Sequence, residues 1–274
     1  MTVADRRSAG KPRHPNLTSQ YRGSFRTGTM AAFAALAVVA WVGTVIWAND
    51  MGNMPGTMGL GLGSFVLMWG LMMSAMMLPS VAPMGFLYSR TITHRRRWRL
   101  TQFAAGYVVA WTLTGVGAFA LAWIAGELAS SRPTAARLVA VGVFALVGLY
   151  QLTPLKYRCL DHCRSPLGHM MHYASFRGPL RHLKAGLHHG LFCLGCCWAL
   201  MVLMVVFGVM NVWAMVGLAL VIALEKLWRH GAQLARAAGW ASLALAVLVI
   251  PFPGIATGLN PDAVMQMDNM EMGS

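Results

Sequence analysis

Long apolar runs with little or no charge, separated by short polar loops, organise this chain. Residues 30–48, 60–87, 103–124, 135–153 and 238–255 each predict a helix able to cross a membrane, because about 20 apolar residues span the roughly 30 Å hydrocarbon core. No stretch alternates polarity at every second residue, as a transmembrane β-strand does. A further apolar stretch, residues 190–228, reads either as one very long helix or as a hairpin turning near Gly208 to Asn211.

Charge separates these two. Short cytoplasmic loops are enriched in Lys and Arg, and the loop after residue 87 carries Arg90, Arg95, Arg96, Arg97 and Arg99. A hairpin keeps Lys226, Arg229 and Arg236 on that same side, whereas a single helix sends them across. The expected fold is therefore an all-α polytopic membrane protein, a bundle of about seven transmembrane helices (six without the hairpin), with its amino terminus inside and its carboxy terminus outside. Residues 1–29 carry Arg6, Arg7, Lys11, Arg13, Arg22 and Arg26 and predict a disordered cytoplasmic segment. The helical domain follows at 30–258, with a basic inner loop at 154–189, and an acidic outer tail closes the chain at 259–274.

Composition agrees, with 57% hydrophobic and 11% charged residues and a mean hydropathy of +0.56. The net charge of +14 suggests nucleic acid at first sight, but the cations sit between apolar spans and form no patch on a polar domain. They read as topology signals, all inside except Arg132 and Arg137. The expected surroundings are a lipid bilayer, of the bacterial cytoplasmic (inner) membrane type, and no nucleic acid.

Sulfur adds a second signal: 21 Met and five Cys, unevenly placed. Thioethers and thiolates are soft donors that favour Cu(I) over Mg(II) or Ca(II). Met51, Met54 and Met58 lie in the outer loop, and Met265, Met267, Met270 and Met272 lie in the outer tail. In the second span Met68, Met72 and Met76 form one helical stripe and Met73 and Met77 an adjacent one, followed by Pro79 and Pro83. Each proline removes a backbone donor, so helix irregularity is expected there. Such methionines also serve as adaptable packing.

The densest constellation starts at the inner end of the fifth span. His189, Cys193, Cys197, Met201 and Met204 recur at spacings of three and four, with Cys196 beside them, so they share one helix face. From Cys193 to Met204 this stripe rises roughly 16 Å. In the inner loop Cys159, His162 and Cys163 converge on one face if the segment is helical. Zinc there would need a fourth donor, for which His169, His172 or His182 are candidates. Glu225, at the inner end of the sixth span, is a carboxylate in an apolar helix, and such a group is either functional or a salt-bridged cap.

At these segments the sequence resembles a family of predicted metal-binding integral membrane proteins, sometimes labelled copper chaperones. The resemblance rests on Trp69 with Met72-Met73-Ser74-Ala75-Met76-Met77-Leu78-Pro79 and Pro83, then Tyr150 to Lys156, Cys159, His162-Cys163-Arg164 and Pro166. It continues through Cys193, Gly195-Cys196-Cys197-Trp198, Leu200-Met201, Gly208, Met210-Asn211 and Glu225-Lys226. It implies an association with metal.

No Gly-x-x-x-x-Gly-Lys-Ser/Thr sequence occurs, so this chain alone is no ATP-driven pump, and no arrangement of enzymatic residues stands out. The expectation is a non-enzymatic handler of a soft metal, Cu(I) first and zinc second. Its partners would be the ion, a cuproenzyme or soluble copper carrier, and further copies in an oligomer. Two other classes compete: a membrane thiol-disulfide protein using Cys193 and Cys196, which are spaced as Cys-x-x-Cys, and an assembly subunit whose Cys and Met merely pack.

Overall fold

The computed structural model describes residues 17–51, 56–92, 94–164, 172–173 and 175–259. Among these residues the fold is helical throughout, with no strand. Among the described residues eight α-helices have both ends defined: α1 (Leu17–Met51), α2 (Leu62–Arg90), α3 (Arg96–Ser131), α4 (Pro133–Leu152), α5 (Pro154–Arg164), α6 (Arg181–Phe207), α7 (Val212–Leu227) and α8 (Gly231–Leu248). Two single-turn 3₁₀ segments, Pro253–Ile255 and Thr257–Leu259, close the described chain.

Five helices are long and apolar enough to cross a membrane: α1, α2, α3, α4 and α6. The shorter α7 and α8 complete the bundle. Leu36, Val38, Val39, Val42 and Ile46 of α1 and Leu113, Val116 and Leu121 of α3 are exposed, which suits a lipid-facing surface and no aqueous one. This is the helical membrane bundle that the apolar runs predict.

The stretch from 190 to 228 is a hairpin. Its turn is built by Gly208, whose φ of +94° is open to glycine at little cost. Asn211 then caps α7 by accepting a hydrogen bond from the Ala214 amide at 3.1 Å, which satisfies one of the orphan donors of the new helix.

Three boundaries differ from expectation. Helix α1 begins at Leu17, inside the segment expected to be disordered. The described part of the inner loop 154–189 is largely helical, since it contains α5 and the first turns of α6. Thr153 makes the sharp break before α5, its hydroxyl accepting from the Lys156 amide at 3.3 Å. Finally, α2 stays helical through Pro79 and Pro83, so the irregularity expected there does not take the form of a break.

Small residues set the closest helix crossing. A Cβ on Gly186 would lie 2.0 Å from the Phe103 carbonyl oxygen, and one on Gly106 would lie 2.1 Å from that of Leu183. Backbone thus meets backbone where α3 crosses α6. Gly186→Ala is expected to force the two helices apart and to destabilise the fold by about 1–3 kcal/mol. A thermal melt in detergent checks this, and an unchanged midpoint would refute the tight crossing. The crossing matters because the sulfur-rich face of α6 lies just beyond it.

Candidate metal centre

Cys193, Cys196 and Cys197 sit at i, i+3 and i+4 on α6, so helical geometry alone groups them. Their three sulfurs lie within 4.8 Å of one another, and each residue is only 1% exposed. The Cys196 and Cys197 thiols both point back at the Cys193 carbonyl, at 3.1 and 2.9 Å. A fourth sulfur comes from a different helix, as α5 places Cys163 Sγ 3.7 Å from Cys196 Sγ. All five cysteines are free thiols.

Helix α5 is held against this face by specific contacts. Gly195 leaves room for Cys159, whose sulfur would lie 2.9 Å from any Cβ added there. The Tyr150 hydroxyl donates to the Gly195 carbonyl, and the Lys156 ammonium donates to that of Cys196. At the other end, the Arg164 guanidinium donates to the carbonyls of Glu225 (3.2 Å), Trp228 (2.8 Å) and Arg229 (3.2 Å). Packing between α5 and α6 raises the Cys159 pKa above its ordinary value, chiefly through burial. The Cys163 pKa is raised well above its own, chiefly by hydrogen bonding to Cys193 and Cys196.

Two cations expected to be topology signals are instead structural parts of this centre. Lys156 is fully buried and forms an ion pair of 2.6 Å with Glu225, itself 1% exposed. Gln151 donates to the other Glu225 carboxylate oxygen at 2.9 Å. The role left open for Glu225 is therefore that of a buried ion-pair partner. Lys226, 9% exposed, reaches across to Cys193 Sγ at 2.9 Å and to the Ser80 hydroxyl at 3.4 Å. Tyr107 of α3 places its hydroxyl 2.9 Å from the same Cys193 sulfur.

Beside Cys193 lies a cavity of about 90 Å³, whose walls include Met84, Cys163, His189 and Lys226. His189 lines it while its Nδ1 faces the Tyr173 hydroxyl at 3.3 Å. The remaining sequence candidates lie apart from this group. His162 stacks face to face on Phe192, with ring centroids 3.5 Å apart. Met72, Met73, Met76 and Met77 are buried in the body of α2, and it is Met84, further along α2, that reaches the cavity. Met201 lines a separate apolar groove with Trp69, Trp111 and Trp198. The Met51 and Met54 side chains and all four Met of the tail lie outside the described residues, as does His169.

Sequence reasoning missed Tyr107, Lys156 and Lys226 as neighbours of the sulfurs. The one available signal was the Glu225-Lys226 pair, two charges adjoining an apolar helix. A sulfur-only, buried donor group suits a soft ion. Residues 66–249 match a family model, PpoB2, described as a copper chaperone. The chain belongs to this copper-chaperone family. The match runs from α2 past the end of α8, so the family's region contains all four clustered thiols and both buried lysines. No curated protein and no solved structure matches the chain. Family and site thus both suit metal handling, and among the described residues of this copper-chaperone relative Cys193, Cys196 and Cys197 form a group that could hold a metal ion.

Proposed function

We propose that this protein is a non-enzymatic, membrane-embedded Cu(I) handler of the bacterial inner membrane. In this reading the outer Met segments capture the ion, and Met72, Met73, Met76, Met77 and Met201 offer thioethers along the way. The thiols of Cys193, Cys196 and Cys197 hold it, and Cys163 passes it toward a soluble carrier or a cuproenzyme at the Arg-rich end.

The observation that carries this reading is the buried group of three thiols within 4.8 Å. Cu(I) is satisfied by few soft ligands and needs no tetrahedral cage, whereas structural zinc takes four ligands arranged around it. Three thiols from one helix face approach an ion from one side only. Zinc would require Cys163 as its fourth donor, which makes it the second candidate.

The test is a Cu(I) titration of the reduced, detergent-solubilised protein against a chromophoric chelator. One tightly held equivalent is expected, and no competition with the chelator would overturn the reading. In the same assay Cys163→Ser is expected to keep the equivalent and weaken it about tenfold, the lower range for residues that support a metal's ligands. An unchanged affinity would detach α5 from the site. Delivery and import then separate in proteoliposomes: ⁶⁴Cu accumulation marks import, while transfer to an acceptor without accumulation marks a chaperone.

One observation favours a second reading. Cys163 and Cys196 face each other across two helices at 3.7 Å, a better-placed redox pair than Cys193 with Cys196 on a single helix. Thiol-disulfide exchange predicts a loss of two hydrogens in intact mass on mild oxidation, abolished by Cys163→Ser.

A further inference from the structure

The buried charges do not cancel. Glu225 and Lys156 neutralise each other in their ion pair, and Gln151 completes the coordination of the carboxylate. The Arg164 guanidinium, on the cavity wall, is committed to three backbone carbonyls. Lys226 is left as a buried ammonium with no carboxylate within ion-pair distance among the described residues. Its contacts are a hydroxyl of α2 and the Cys193 sulfur. The other groups around that sulfur, Tyr107 from α3, Cys163 from α5 and His189 from α6, bring no carboxylate either.

An isolated charge in an apolar interior is costly, and chains keep one there when something else supplies its opposite. Among the described residues the acidic group that Lys226 touches is the Cys193 thiol, with the other thiols beside it. We infer that Lys226 is the fixed counter-charge of the sulfur site and sets the charge of the ion the site accepts. This rests on the metal-handling reading given above and specifies its substrate class. With two of the three thiols ionised and the third kept as a neutral thiol, a monovalent soft ion at the site carries a net charge of −1, which the ammonium cancels. A divalent ion on the same two thiolates is already neutral, and the ammonium leaves the site at +1. Discrimination against divalent ions is thus built into the helix that faces the sulfurs, independently of how soft the ligands are.

Removing the charge should therefore weaken the monovalent ion and leave the affinity for the divalent ion little changed. Two unit charges some 5 Å apart, at the effective dielectric of a protein interior, change an equilibrium on the order of 100-fold. The experiment compares affinities for Ag(I) and Cd(II), soft ions of charge +1 and +2 that need no reductant, by chelator competition on the full chain in detergent. Lys226→Met is expected to lower the ratio of Ag(I) to Cd(II) affinity by about 100-fold, and Lys226→Arg, which keeps the charge, is expected to hold it within a few-fold. If Lys226→Met does not yield folded protein, Lys226→Gln, which retains a donor to Ser80, carries the same prediction.

A ratio that stays within threefold of wild type in the uncharged variant, with ion binding intact, would overturn the role of Lys226. So would an equal fall in the arginine variant, which would mean that shape and not charge is at work. Wild-type protein that binds neither ion would instead overturn the metal-handling reading itself, a result that the ratio cannot mimic.

Discussion

Glu225→Ala is expected to cost the fold roughly 3–5 kcal/mol, the range for stranding one member of a buried ion pair. The carboxylate neutralises a fully buried Lys156 ammonium at 2.6 Å, and no second carboxylate is at hand in the described structure. The damage should extend to the metal centre, because Lys156 also holds the Cys196 carbonyl. Thermal unfolding in detergent measures it as a large drop in the midpoint. The double variant Glu225→Met with Lys156→Met should recover most of the loss, since apolar replacement of both partners removes the desolvation problem. A single variant as stable as wild type would mean that the pair is solvated and that α5 is not anchored as described.

The second large effect concerns binding. Replacing Cys193, Cys196 and Cys197 together by serine should remove the tight Cu(I) equivalent altogether, because a hydroxyl is a hard and weak donor for a soft ion. The change is nearly isosteric, the Cys196 and Cys197 side chains already hydrogen-bond within their own helix, and a serine at 193 can still meet Tyr107 and Lys226, so the bundle should survive it. Elemental analysis after loading under reducing conditions should give about one copper per wild-type chain and none per triple variant, with matching elution volumes. Equal copper in both would place the ion elsewhere, with the Met-rich segments the first alternative.

Much of this architecture was legible in the chain. The five helices long and apolar enough to cross a membrane follow from hydropathy alone, and the Gly208 turn follows from the position of Lys226, Arg229 and Arg236. The thiol cluster was legible because i, i+3 and i+4 spacing converts directly into proximity once a helix is assumed. Helix α5 was harder to read. Its sequence, Pro154–Arg164, is polar and short, so no long apolar run marks it as a helix that packs against α6.

The lysines were illegible for a physical reason. A cation next to an apolar span reads as an interfacial marker, and only tertiary packing reveals that Lys156 and Lys226 turn inward. Their partners lie far away in sequence, Glu225 for the first and Cys193 for the second, so no local pattern encodes the contact. Similarly, the sulfur stripe on α2 pointed to Met72, Met73, Met76 and Met77, while the structure brings Met84 to the cavity instead. Periodicity identifies a face, and the neighbouring helices decide which part of that face meets the site.

The most direct test of the central claim is X-ray absorption at the copper edge, on reduced protein loaded with one equivalent of Cu(I). The account predicts a first shell composed of sulfur, at the low coordination number of a two- or three-thiolate site, and its disappearance in the Cys193, Cys196 and Cys197 serine variant. A first shell of nitrogen or oxygen in the wild type, or a sulfur shell that persists in the variant, would contradict it.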